Sequence, residues 1–416
     1  MNIYVTHPTG NSNVRAILEA FNQQGILSGY ATTIAPDRNA SYLKLLPYKI
    51  RTELLRRNFD IPGEMITTFP MLELARLLFP KLGLKSLVKH EKGLASIDAV
   101  YKNLDLKVAN TLERMHHSKN IDFVYAYEDG ALATFTVAKK LGIKCIYDLP
   151  IAYWEFSKKL LEEEADRLPD WAPTLGGGIL DSPAKLKRKT MELHLADVVV
   201  GPGSFVLDSL PIGIKSKKII MSPFGSPLSY THLKLKESKN SKLRVLFVGG
   251  MGQRKGLGDL FNAIKKLNRV DVELIVMGTL LTDMSFYRKE FSSFTYEPGR
   301  SHQEVLDLMG TCDVFCLPSI VEGRALVMQE AMSRGLPLII TPNTGGADLV
   351  IEGLTGFMVP IRSPEKIAEK IEWFANNRNK VLEMGNLARL HAEKYTWSAY
   401  GNKIVSEIRN MSHLNY

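Results

Sequence analysis

Cysteine is scarce: Cys145, Cys312 and Cys316 are the three in 416 residues, all in apolar surroundings and none in a C-x-x-C pair. That argues against a disulfide framework or a thiolate zinc site and fits buried, reduced thiols of a cytoplasmic protein. No uninterrupted apolar stretch approaches the ~20 residues of a membrane-spanning helix. The opening MNIYVTHPTG runs into a strand pattern without the basic flank and apolar core of a secretory signal. Internal repeats and low-complexity tracts are missing. No G-x-G-x-x-G follows the first strand, which disfavours a nicotinamide dehydrogenase. His90, His116 and His117 have no supporting ligand spacing, so no metal is expected. The aromatic-interleaved basic stripes of nucleic-acid binders are also missing.

What is present is ordinary globular composition, 45% hydrophobic and 23% charged, in a length that suggests two domains. The net charge is +9, which permits an anionic partner without naming one. It is concentrated: Ser41 to Lys119 holds 14 Lys and Arg against 8 Asp and Glu, or +6. There, apolar and cationic residues mix from Tyr42 to Arg57 and from Leu77 to Lys89. Such segments lie on an anionic bilayer face or are amphipathic core helices with solvated lysines.

Apolar β-branched runs alternate with helical patterns, the mark of α/β folding around parallel sheets. Strands are expected at 3–5, 123–126, 144–147, 197–200 and 219–221, and again at 243–248, 274–277, 314–317 and 338–340. Between them, 228–242 (KLKESKNSK at its centre) is polar and lysine-rich and reads as a linker. The organisation expected is therefore a first doubly wound domain over 1–227, a linker over 228–242 and a second domain over 243–395. A final helix over 396–416 is expected to pack back on the first domain.

The stretch most loaded with chemistry is Pro318-Ser319-Ile320-Val321-Glu322-Gly323-Arg324-Ala325-Leu326-Val327-Met328-Gln329-Glu330-Ala331-Met332. It leaves a strand, turns at Glu322-Gly323 and enters a helix, the place where open parallel sheets bind ligands. A helix N-terminus there offers free N–H groups to an anion. Eight residues at about 100° each bring Glu330 within roughly 80° of the direction of Glu322, so both carboxylates can face one cleft and accept from hydroxyls. Alternatively, Glu322 merely suits the helix dipole and Glu330 a solvated face.

The stretch resembles the E-x7-E signature of the retaining family-4 glycosyltransferases: Pro318, Ser319, Glu322, Gly323, Glu330, Ala331, Met332, Gly335 and Pro337 match in order. Thr341 to Gly346 resembles that family's glycine pair, Glu352 to Val359 its later G-x-x-G-x-x-V, and Ser301 to Asp313 its nucleobase segment. Phe247-Val248-Gly249 with Arg254-Lys255-Gly256 resembles its diphosphate-binding turn. The resemblance runs from about Leu243 to Trp397 and is weaker before that.

It implies a GT-B fold, two Rossmann-like doubly wound domains facing across a cleft, and a retaining transfer from a UDP- or GDP-sugar to a glycan or lipid-linked acceptor. Surface polysaccharide or glycoconjugate assembly is the implied setting, in the cytoplasm or peripherally on the inner face of the membrane. No cofactor or metal is implied: no D-x-D triplet is present, and the leaving diphosphate helps take the proton of the incoming hydroxyl. A dedicated nucleophile is unnecessary, in keeping with the lack of a Ser-His-Asp or Cys-His set.

The residues carried over are Glu322, Lys255, Arg254 and Asp148 for catalysis. Glu330, Gly323, Arg324, Ala325, Leu326 and Gly249, with Gly10 and Asn11 from the first loop, are carried over for the donor. Glu128 and Asp129 are acceptor-side candidates. Cations at 254 and 255 make physical sense on their own, because negative charge grows on a leaving diphosphate.

The chain departs from the family at Gly250, where Arg is frequent, and at Arg324-Ala325, where Phe-Gly is usual. Asp348 stands for a frequent Glu after the glycine pair. Arg324 either recognises an acidic donor group or points to solvent. Asp148, near a place where relatives have histidine, either binds a hydroxyl or caps a turn. Rival readings are an epimerase or phosphorylase of the same fold, or a non-catalytic sugar-binding subunit. The epimerase would need no acceptor, and a pyridoxal lysine context for the phosphorylase is not found.

Overall fold

In the computed structural model, residues 1–38, 40–116, 118, 120–214, 216–227 and 242–413 are described. The expected linker, apart from Lys242, lies outside the described residues, as do His117 and Lys119.

Strands β1 (Ile3–Thr6), β2 (Leu27–Thr32), β3 (Ile66–Thr68), β4 (Phe123–Tyr127), β5 (Lys144–Asp148), β6 (Val198–Gly201) and β7 (Lys218–Met221) form the first sheet. Its order is β3-β2-β1-β4-β5-β6-β7. The second sheet comprises β8 (Leu243–Val248), β9 (Val272–Gly278), β10 (Phe294–Pro298), β11 (Val314–Leu317), β12 (Leu338–Ile340) and β13 (Gly356–Met358), ordered β10-β9-β8-β11-β12-β13. All named pairings are parallel. The central strands are buried on both faces, which is why they read as continuous apolar runs.

Strands β2, β3, β10 and β13 carry little such signal. Strand β2 reads Leu-Ser-Gly-Tyr-Ala-Thr because the Tyr4 ring of β1 lies over it: a Cβ on Gly29 would come 2.7 Å from that ring. The others are short or end in charge and proline.

Each strand order reverses once, between β1 and β4 in the first sheet and between β8 and β11 in the second. Loops leaving the two strands at such a point diverge and open a crevice at their carboxyl ends.

The chain crosses between the two sheets more than once. The last helix, Trp397–His413, sets Tyr400, Ile404, Val405 and Ile408 into the core that holds Ile3, Val14, Ile17 and Phe21 of the first sheet's side. In the other direction, helix Trp154–Arg167 and the 3-10 turn Pro169–Thr174 follow β5, yet Trp171 is buried in the core of the second sheet. Its ring lies 5.0 Å from Phe286 and its indole N–H donates to Glu290 at 3.2 Å. Buried Glu164 accepts from the Gln253 amide at 2.7 Å and from Arg362 at 2.8 Å. Arg167 bridges Glu164 and buried Asp259. Sequence boundaries assign this strap to the first unit, and no periodicity in it announces the second core. All three cysteines are buried, and none is in a disulfide. Among the described residues, no helix is long and apolar enough to cross a membrane.

Candidate functional site

The two loops at the reversal point of the second sheet are zipped together. After β8, Gly249 to Gly252 turn into the short helix Gln253–Lys255; after β11, Pro318 to Ala325 lead into helix Leu326–Ser333. The Arg254 carbonyl accepts from the Ile320 N–H at 2.9 Å, and the Arg254 guanidinium donates to the Val321 carbonyl at 3.0 Å. Glu322 sits between two cations, 2.6 Å from Lys255 Nζ and 2.9 Å from Arg254. Burial alone would raise its pKa; Lys255 and Arg254 outweigh that and hold the carboxyl below its ordinary range. The group is an ionised carboxylate with two partly covered cations, one positive charge in excess.

Gly249 serves this geometry directly. Its φ is +148°, and a Cβ there would lie 2.6 Å from Lys255 Cδ. The bare glycine lets the lysine chain cross the loop toward Glu322.

Gly323 joins the second sheet's loops to the first. Its backbone lies so close to the loop after β5 that a Cβ would fall 1.8 Å from the Pro150 oxygen. The Ala152 N–H donates to the Glu322 carbonyl at 3.4 Å, and Ile320 and Val321 bury against Ala152, Leu161 and Leu175. Leu326 packs on the core of the first sheet, and Ala325 donates its N–H to Thr344. The signature loop is thus the seam between the units.

Glu330 faces a different neighbour, His302, with Nδ1 at 3.6 Å; burial raises its pKa and His302 opposes the rise. His302 lies in the segment read as the nucleobase region, so Glu330 and that segment do meet.

Arg324 follows neither expected course. Its side chain is fully buried, donating to both oxygens of Asp348 at 2.6 and 3.1 Å, to Gln329 at 2.9 Å and to the Gly345 carbonyl, with the Tyr395 ring over its guanidinium. Asp348, which burial would raise, is held below the usual carboxylate range by this partner. The expectation of a solvent-facing or donor-facing arginine side chain is corrected: the Arg324 guanidinium is buried and paired within the second unit.

The structure also departs from expectation at Asp148. The carboxylate is buried at the end of β5, accepting from the Tyr125 hydroxyl at 2.5 Å and the Tyr400 hydroxyl at 3.4 Å, with no ion-pair partner among the described residues. Burial, only partly offset by these hydroxyls, pushes its pKa up to about 7. It ties the last helix to the first sheet, and among the described residues no hydrogen bond joins it to Glu322. The unfolded carboxyl titrates near 3.9, so the folded state keeps a proton that the unfolded state releases. The stability from that proton is present below about pH 4 and is lost as pH rises toward about 7. Asp148→Asn is expected to gain stability over the parent progressively across that window, by a few kcal/mol at most, in urea melts at a series of pH values. A pH-independent difference would refute the assignment.

Glu128 and Asp129, at the carboxyl end of β4, belong to a buried ionic cluster. Asp129 pairs with Arg188 at 2.7 Å and Lys185 at 3.2 Å, and Lys189 lies 3.7 Å from Glu128. Burial raises the pKa of Glu128 despite Lys189. Gly10 and Asn11 lie in the loop after β1: a Cβ at Gly10 would strike Phe59, and Asn11 precedes helix Ser12–Gln23. Among the described residues no hydrogen bond or ion pair joins these four to Glu322, Arg254 or Lys255. His90, Glu91 and Asp181 converge elsewhere, but Lys185 and Lys189 stand 3.1 and 3.4 Å from Asp181 where a cation would sit.

Sequence reading missed His7, a buried histidine at the end of β1 whose pKa burial lowers to about 4 and whose Nδ1 accepts from the Thr9 N–H. It also missed Asn343, whose carbonyl takes the Glu322 N–H and whose amide caps Ile320. His7 lies in no periodic pattern, and Asn343, although inside the Thr341–Gly346 glycine-pair segment, has no spacing to Glu322 that would single it out.

Residues 232–391 match the family described as glycosyl transferases group 1. The capsular polysaccharide biosynthesis glycosyltransferase CapM of Staphylococcus aureus is 28% identical over 211 residues, 47% of this chain and 53% of that protein. The chain therefore spans about half the length of that relative. Among solved structures, sucrose-phosphate synthase from Thermosynechococcus elongatus superposes with a TM-score of 0.67 at 14% identity over 100% of both chains. Anabaena Alr3699/HepE, solved in complex with UDP, superposes at 0.59 with 15% identity over 99% of this chain and 100% of that one. The architecture is the GT-B fold.

Proposed function

We propose that this chain, which belongs to the glycosyl transferases group 1 family through residues 232–391, moves a sugar from a nucleotide-diphosphate donor to an acceptor hydroxyl with retention at the anomeric carbon. The observation that carries the reading is the Glu322–Lys255–Arg254 centre at the reversal point of the second sheet, on the seam with the first. In the reaction the bond from the anomeric carbon to the diphosphate breaks. The acceptor oxygen bonds to the same face, and its proton passes to the departing phosphate. Lys255 and Arg254 stabilise the charge growing on that phosphate. Glu322, ionised, accepts from a sugar hydroxyl, and Glu330 from the ribose.

Binding of UDP by the HepE protein makes UDP-sugars the first donors to try, with GDP-sugars next. The capsular role in the name of the CapM relative favours a glycan or glycolipid acceptor, taken on the first sheet's side. Three buried thiols suit a reducing compartment, so we assign the reaction to the cytoplasm.

A thermal-shift panel of UDP, GDP, ADP and their sugars is the direct test, since a ligand of the folded state raises its melting temperature. One selective diphosphate, followed by acceptor-dependent transfer with an α-linked product from an α-linked donor, is the expected result. Turnover of the donor sugar without acceptor would favour an epimerase. No shift and no transfer with any donor would overturn the reading.

A further inference from the structure

The helix Met71–Leu78 is built inside out. Its one carboxylate, Glu73, is buried and clamped by Arg57 at 2.8 Å and Arg76 at 2.7 Å, while Met71, Leu74 and Leu78 look outward. Surface helices normally bury the apolar stripe and expose the charges. The apolar face continues through the next turn, Phe79–Leu82, so that Met71 is 79%, Leu78 52% and Leu82 68% exposed. A contiguous apolar surface of this kind marks a contact site.

Its charged fringe says what it contacts. Between Glu73 and Glu91 the chain has no acidic residue. Lys81, Lys85 and Lys89 stand exposed there, and none forms an ion pair among the described residues. A second copy of this chain would bring lysines against lysines. An interface of apolar acyl chains beneath anionic headgroups meets both features, leucines below and lysines above.

We infer that the face formed by Met71–Leu82 and its flanking lysines docks on an anionic phospholipid bilayer. The helix packs on Ile97–Met115, whose Tyr101 ring lies 6.3 Å from His7 at the carboxyl end of β1. Docking therefore sets the loop end of the first sheet beside the membrane. The inference stands apart from the transfer reaction, because vesicle binding needs no donor; either can fail alone.

The full chain is sedimented with vesicles of phosphatidylcholine, or of phosphatidylcholine mixed with phosphatidylglycerol, at low and high salt. Binding to the mixed vesicles that weakens with salt is expected. Lys81→Gln with Lys85→Gln should lower partition about 25-fold, at about fivefold per basic side chain near such a surface. Leu78→Ser with Leu82→Ser should release the protein; all four side chains are exposed, so folding is not at stake, and circular dichroism checks it. No binding to mixed vesicles at low salt, or equal binding to both compositions, overturns the inference. So does binding unchanged in both variants, or a solution dimer that Leu78→Ser with Leu82→Ser separates.

Discussion

Lys255→Ala is expected to slow sugar transfer about 10²–10³-fold, the usual loss when one preplaced group stops stabilising developing charge, with little change in melting temperature. The two parts of that expectation come from one geometry. Lys255 and Arg254 reach the same oxygen of Glu322, at 2.6 and 2.9 Å. When Lys255 is removed, Arg254 still neutralises the carboxylate, so no buried charge is stranded and the fold loses little. In the proposed reaction there is no such reserve, because a leaving diphosphate would draw on both cations as its charge grows. The loss should fall on kcat more than on KM, the sign of an interaction strengthened in the transition state. Glu322→Ala is a less clean experiment: it leaves two partly buried cations facing one another. Wild-type turnover by Lys255→Ala would detach the cations from the leaving group. Unfolding of Lys255→Ala would make the lysine a structural residue.

How much of this was legible in the sequence depends on what each residue answers to. The central strands β1, β4, β5, β8 and β11 could be read because burial on both faces forces continuous apolar runs. The cations and Glu322 could be placed on strand–turn–helix connections from their order in the sequence, and the structure brings both cations within 2.9 Å of Glu322. What the sequence hides is pairing at a distance. Arg324 looked like a free arginine because Asp348 lies 24 residues away; its role is set by a contact that no spacing encodes. Asp148 looked like a site residue because it ends a strand, yet its partner Tyr400 comes from the last helix, 252 residues on. Trp171 is the clearest case: an apolar residue in a polar, proline-containing strap, it gives no hint that it fills the other sheet's core.

Gly323→Ala is the substitution expected to damage the molecule most for its size. The added methyl would lie 1.8 Å from the Pro150 oxygen, 2.7 Å from its carbonyl carbon and 2.8 Å from Ile151 Cα, all backbone atoms that no rotamer change can move. The loop must shift by more than an ångström. Glu322 on one side and the Gly345 turn on the other are fixed to it, since a Cβ on Gly345 would itself strike the Gly323 oxygen. Overpacking costs about 1–3 kcal/mol and occasionally more, and a clash with backbone atoms puts this one at the upper end. The strain falls on the seam, where Ile320 and Val321 are buried against the strap and the Ala152 N–H meets the Glu322 carbonyl. Calorimetry should show a lowered melting temperature, and donor binding should weaken with it because Glu322 is displaced. Gly250→Ala is the control: its nearest neighbour is the Leu281 side chain at 3.8 Å, ordinary contact, so melting should stay near wild type. Equal melting of the two variants would mean that the Pro150–Gly323 contact yields in solution. The seam would then be a compliant joint between the two sheets.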